Sequence, residues 1–220
     1  MNQKLIQRLN ERIEAKSLLK HPFYQEWAAG KLTLEDLRRY AAQYYAFESN
    51  FPIFLSAIHS RCPVPEVRQT ILSNLWDEEH GQRNHAALWI QFAEGLGMDK
   101  ASVKRAEPYP ETRRLVEFYR NIAAHASFQE GLAAVYAYES QVPQVATKKI
   151  EGLRQFYGFQ DGKAMEFFDL HSSLDVEHSQ AEALAVGEHT KPTQEPAVEA
   201  ALEKALDSWW SFLDGVHRRK

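Results

Sequence analysis

Apolar residues recur at intervals of three and four along nearly the whole chain. No run alternates with the period of two that marks a half-buried strand. Leu5, Leu9, Ile13 and Leu18 share one side of a helix predicted over 2–19. His21-Pro22 breaks the pattern, and Pro22 suits the first turn of a short helix ending near Trp27 and Gly30. Thr33-Leu34-Glu35-Asp36 reads as a capping box that opens a helix over 33–60, bent at Pro52. Cys62 to Pro65 is a loop. A helix is expected over 65–96, closed by Gly95 and Gly97, and a connection over 98–110. Further helices are predicted over 111–127, 127–152 (kinked at Pro143), 163–187 and 197–217. Between them lie a turn at 158–162 and a Pro-bounded linker at 191–196. The fold class is therefore all-α: a bundle of seven or eight helices in one domain spanning 1–220.

Composition narrows the function more than the fold. Of 220 residues, 44% are apolar and 25% charged, enough to build a core and too apolar for disorder. A net charge of −4 without an internal basic run argues against nucleic acid as a partner. No apolar run approaches the ~20 residues of a membrane span. The first residues lead into an amphipathic helix, not a signal peptide. With one cysteine, Cys62, an internal disulfide framework is excluded and a reducing compartment is favoured. The expectation is a cytoplasmic protein.

Polar residues on the apolar stripes carry the candidate chemistry. At about 100° per residue, Asp175 falls roughly 40° to one side of His171, and His178 roughly 20° to the other. Phe167, Phe168, Leu174, Ala181 and Ala185 occupy the same half of that helix. Such groups are costly to bury unless paired or coordinated. In 65–96 the same test selects Glu78 and His85, within roughly 40° of the apolar centre, and sends Asp77 and His80 outward. Glu139 shares a stripe with Phe128, Leu132, Val135 and Tyr136. Any one of these residues alone reads best as a hydrogen-bonded core group; six on three apolar faces read as a metal set. Three carboxylates and three imidazoles suit two divalent transition metals, iron or manganese rather than structural zinc, with room for a bridging oxygen. Glu48 is a seventh inward group, either a ligand or a carboxylate that orients a histidine, and Glu182 lies on the His178 stripe. Tyr24, Tyr40, Tyr44, Tyr45, Tyr136 and Tyr138 are aromatic neighbours that equally suit a core. Trp209, Trp210 and Phe212 either cap the core or face a second subunit.

His21-Pro22-Phe23-Tyr24, then Gly30-Lys31-Leu32 and Tyr40-x3-Tyr44-Tyr45, resemble the first helices of the haem-oxygenase-like superfamily, which includes TenA and the pyrroloquinoline-quinone synthesis protein PqqC. Glu78-x6-His85, Glu139 and His171-x3-Asp175-x2-His178 resemble the dimetal ligands of one branch, the CADD proteins (chlamydial protein associating with death domains) and their bacterial relatives. The resemblance spans essentially the whole chain. It implies formation of para-aminobenzoate for folate synthesis, with O2, an external electron donor and an Fe/Fe or Fe/Mn pair. It also implies that Tyr24 supplies the aromatic ring and Lys149 the amino group, with Tyr40 and Tyr138 as redox-active or packing neighbours. By position alone Lys148 serves as well as Lys149. A homodimer is expected. The alternatives are a dimetal oxygenase acting on an external small molecule and a cofactorless PqqC-like oxidase. A TenA-like hydrolase needs a cavity cysteine, and Cys62 sits in a Pro-bounded loop; a pure binding protein leaves the polar set unexplained.

Overall fold

The computed structural model describes residues 2–160, 162–172 and 174–219, with the side chains of Leu174, Asp175 and Val176 outside that description. The helices are α1 (Gln3–Ala15), α2 (Pro22–Ala28), α3 (Leu34–Glu48), α4 (Phe51–Arg61), α5 (Pro65–Glu79), α6 (His85–Gly95) and α7 (Lys100–Arg105). They continue as α8 (Pro110–His125), α9 (Phe128–Glu139), α10 (Val142–Phe156), α11 (Glu166–His171), α12 (Leu174–His189) and α13 (Glu195–His217). A 3-10 turn at Leu18–Lys20 joins α1 to α2. The all-α class stands, but the count of seven or eight does not: eleven described helices are at least seven residues long.

Four segments expected to be continuous are broken; three breaks add a helix of that length, the fourth splits off the six-residue α11, and the expected connection over 98–110 holds the six-residue α7. Residues 33–60 divide at Ser49-Asn50, after which Pro52 occupies the first turn of α4. Residues 127–152 divide at Ser140-Gln141, with Pro143 in the first turn of α10. Proline is tolerated there because the first N–H groups of a helix have no acceptor within it. Residues 65–96 divide over His80–Asn84, where Gly81 takes φ 77° and the Asn84 side chain accepts from Ala87 N to cap α6. Residues 163–187 divide after His171. The Thr33 capping box is present, with Thr33 N donating to Asp36 Oδ2 at 2.9 Å, and Ser127 and Glu130 form a second one.

Helix α9 is the axis. Of its residues only Glu130 is not fully buried, and α12, α13, α8 and α4 pack around it. A helix apolar on every side belongs in the middle of a bundle. Aromatic side chains from α3, α6, α11 and α13 fill one flank; Trp209 and Phe212 lie in that core, and half-buried Trp210 donates to Lys16 O. No helix among the described residues is long and apolar enough to cross a membrane.

Gly152 fixes the approach of α2 to α10. A methyl group there would sit 2.7 Å from Trp27 Cδ1 and 3.1 Å from the Trp27 carbonyl oxygen. Alanine adds about 1 kcal/mol of helix propensity, but such crowding costs about 1–3 kcal/mol and wins against a backbone oxygen that cannot rotate away. Gly152→Ala therefore lowers the urea midpoint at unchanged slope.

Candidate metal centre

The helix breaks place the polar residues. Glu48 closes α3, Glu78 lies in the last turn of α5, His85 opens α6, Glu139 closes α9 and His171 closes α11. These helix ends therefore deliver buried side chains where the backbone changes direction. Glu48, His85 and His171 are all buried and offer ligand atoms within 4.8 Å of one another. The His85 and His171 rings lie 4.3 Å apart. Glu78 Oε1 comes within 2.8 Å of His85 Nδ1 without hydrogen-bond alignment.

These groups carry unmet polar capacity. Glu48 Oε1, Glu78 Oε2 and His85 Nδ1 are buried without a hydrogen-bond partner. Burial, then the Glu78 charge, pushes the Glu48 carboxyl up to about 8. Burial, then the charges of Glu139 and Asp77, raises Glu78 well above the usual carboxylate range. Burial lowers His85, and burial together with neighbouring His85 lowers His171 well below its ordinary value. Both imidazoles are thus held neutral, the state that binds metal. His171 Nδ1 donates to the Phe167 carbonyl at 2.6 Å, which leaves Nε2 as the ligand atom. A divalent cation would answer all of these costs at once, and the oxygen and imidazole donors, with no thiolate, fit iron or manganese.

The remaining residues arrange differently from expectation. Glu139 faces Asn74, whose Nδ2 donates to both carboxylate oxygens at 3.0 and 3.2 Å and reaches Glu182 Oε1 at 3.5 Å. Its charge still acts on Glu78 and His85. His178 sits on α12 with Nε2 3.1 Å from Asp77 Oδ2. Asp77 is thus corrected from an outward residue to the partner of His178. The Asp175 side chain lies outside the described residues. Glu177 is exposed.

Asn74 lies outside the expected set, although its position four residues before Glu78 puts an amide on a core-facing stripe. Asn74→Leu removes the donors that satisfy the buried Glu139 carboxylate. We expect about 1–3 kcal/mol lower stability in metal-free protein, read by urea unfolding.

Beside the polar cluster lies an aromatic chamber. The Tyr24 and Tyr40 hydroxyls are 2.9 Å apart, and Lys149 Nζ donates to Tyr40 Oη at 2.8 Å. That ammonium also sits 5.3 Å from the centre of the Tyr24 ring. Burial pulls the Lys149 pKa down to about 7, with the Glu48 charge opposing, so a sizeable fraction is free amine at neutral pH. Lys148, by contrast, is exposed and paired with Glu151. Tyr44 and Tyr138 share a hydrogen bond. Burial raises the Tyr24, Tyr40 and Tyr44 phenols, so all three remain protonated. Tyr24, Tyr44, Tyr138, Lys149 and His171 border one enclosed cavity with about 10 Å³ of room for the centre of a water-sized sphere. Cys62 is remote from it, buried and directed at Val64 O.

Comparison with known proteins places this arrangement. The family described as iron-containing redox enzymes matches residues 38–210. A 4-aminobenzoate synthase from Nitrosomonas europaea is 44% identical, covering 96% of this chain and 90% of its own length. A 4-aminobenzoate synthase from Chlamydia muridarum is 38% identical over 95% of this chain and 88% of its own. The crystal structure of a CADD-like protein of unknown function from Nostoc punctiforme superposes with a TM-score of 0.82 at 18% identity, covering 98% of this chain and 96% of that one.

Proposed function

This chain belongs to the iron-containing redox enzymes, and we propose that it makes 4-aminobenzoate by consuming its own Tyr24 and Lys149 side chains. O2 and an external reductant are the co-substrates. Glu78, His85, Glu139, His171, Asp175 and His178 would hold two divalent ions, Fe/Fe or Fe/Mn, with Glu48 beside them. The metals, when bound, supply O2 activation.

The observation that carries this reading is the chamber itself. One small cavity is bordered by a tyrosine, a lysine and a histidine of the metal cluster. The Tyr24 ring with its Cβ contains the seven carbons of 4-aminobenzoate, so Cβ must become the carboxyl group and the Cα–Cβ bond must break. The para C–O bond must break and a C–N bond form, and the Lys149 Cε–Nζ bond must break to free the nitrogen; O2 is the oxidant for these cleavages and the para oxygen leaves as water. The position of Lys149 supports that exchange: its Nζ lies 5.3 Å from the centre of the Tyr24 ring, and burial favours the unprotonated amine. Tyr40 joins the two through its hydroxyl, which contacts both Tyr24 Oη and Lys149 Nζ and can relay a proton between them. Tyr44 and Tyr138 form a second hydrogen-bonded phenol pair on the chamber wall. The apolar remainder of the wall, including Phe167 and Phe168, excludes bulk water.

An external aromatic substrate would need a ring-sized cavity, of about 150 Å³; the chamber at about 10 Å³ is filled by the side chains proposed to react. Product counting tests this. Iron-loaded protein given reductant and O2 should yield 4-aminobenzoate up to a plateau at or below one per chain. Continued turnover far beyond one per chain would sink the self-consuming reading in favour of an external substrate.

A further inference from the structure

A product formed in the closed chamber has to leave it, and the wall around the chamber is uneven. On the metal side Tyr44 packs on Trp89, with ring centres 4.2 Å apart, and Phe168 packs on Phe92 at 4.8 Å. Opening there would dismantle the aromatic core. On the Leu18 side a second cavity comes up against the chamber wall. Leu18, Val142 and Val145 face the chamber, while their neighbours Ser17, Leu19 and Gln141 line that second cavity on the outer face. Val145 borders both.

That outer cavity is a cleft of about 180 Å³ between α1, the Leu18–Lys20 turn and the α9–α10 junction. A benzene ring fits a cavity of about 150 Å³, so the cleft has room for one ring with small substituents. Its lining offers the Gln144 amide, the Asn10 amide nitrogen and the Ser17 hydroxyl to an amine and a carboxylate, while Tyr136 donates to Asn10 Oδ1 and Ser140 to the Tyr136 carbonyl. Glu14 also lines it, and its charge favours passage of an anion over retention. The partition between chamber and cleft is held by one buried amide: Gln141 Oε1 accepts from Leu18 N at 2.8 Å, and its Nε2 donates to Ala137 O at 2.6 Å.

We infer that this cleft is the exit and transient binding site for the small aromatic amino acid product, reached when the Leu18 turn parts from Gln141. The inference rests on the self-consuming reaction proposed above. Two substitutions outside the reacting groups test it. Gln144 is exposed on the rim, and Gln144→Trp fills the cleft; Leu18→Ala thins the partition. Iron-loaded protein is given reductant and O2, and 4-aminobenzoate is measured twice, free in the filtrate and in total after acid denaturation. For Gln144→Trp we expect an unchanged total per chain and free product appearing about tenfold more slowly. Leu18→Ala should release it faster than wild type. Wild-type release rates in both variants, with unchanged totals, overturn the exit route. No product in either fraction of the wild type refutes the reaction itself, a different result from a wrong route.

Discussion

Tyr24→Phe yields a folded, iron-binding protein that releases no 4-aminobenzoate. Phenylalanine keeps the ring packing against Phe23, Trp27 and Tyr40, whose ring centres lie 5.5, 6.4 and 6.3 Å away. It loses only the hydrogen bond to Tyr40, and Tyr40 retains Lys149 as a partner. The stability cost is therefore about 0.5–1.5 kcal/mol, too little to unfold a domain of ordinary stability. The loss of product is complete because the ring no longer carries the para oxygen that nitrogen replaces. Growth of a para-aminobenzoate auxotroph reads the effect: wild type rescues and Tyr24→Phe does not. Tyr45→Phe, next to Tyr44 on α3 but half-buried and outside the chamber lining, rescues like wild type. Equal rescue by Tyr24→Phe would remove Tyr24 from the chemistry.

His171→Ala lowers iron affinity by about 100-fold or more. Loss of groups that merely orient a ligand costs 10–100-fold, so loss of a ligand lies at or beyond that range. His171 is the residue at which the two halves of the site meet, one of the buried trio with Glu48 and His85 and also a wall of the chamber. Metal analysis after dialysis should find iron near background in this variant and undiminished iron in Glu177→Gln, whose side chain is exposed. Thermal unfolding gives a second reading. A ligand at 100 times its Kd stabilises by about 2.7 kcal/mol. Iron should therefore raise the Tm of the wild type and not that of His171→Ala. Undiminished iron in His171→Ala would place the metal elsewhere.

The helical class was legible because its signal, apolar residues at intervals of three and four, repeats along nearly every segment. Thr33 and Asp36 announced a real helix start for the same local reason. The breaks were not legible, and they are what builds the site. A stripe analysis treats 65–96 as one rod and finds Glu78 and His85 two turns apart on it. In the fold the chain turns at Gly81, and the two side chains meet across that turn at 2.8 Å. Glu78, His85, Glu139 and His171 are buried as their stripes predict, because apolar neighbours hold the same side toward the core on both sides of a break. It failed for Asp77 because the end of α5 is met by α12, and that neighbour is a tertiary fact no single-helix wheel contains. Glu48 could be ranked only as ligand or orienting group until His85 and His171 were placed beside it. The closeness of Tyr24 and Lys149, far apart in sequence, was suggested by family resemblance alone; no spacing rule reaches that far.

The claim that the protein is its own substrate is tested most directly by isotope. Protein made with ring-labelled tyrosine is loaded with iron and given reductant and O2 without any added aromatic compound. The released 4-aminobenzoate should carry the ring label, and the peptide containing Tyr24 should lose its side-chain mass in the same molar proportion. Unlabelled product, or labelled product released while Tyr24 stays intact, would contradict it.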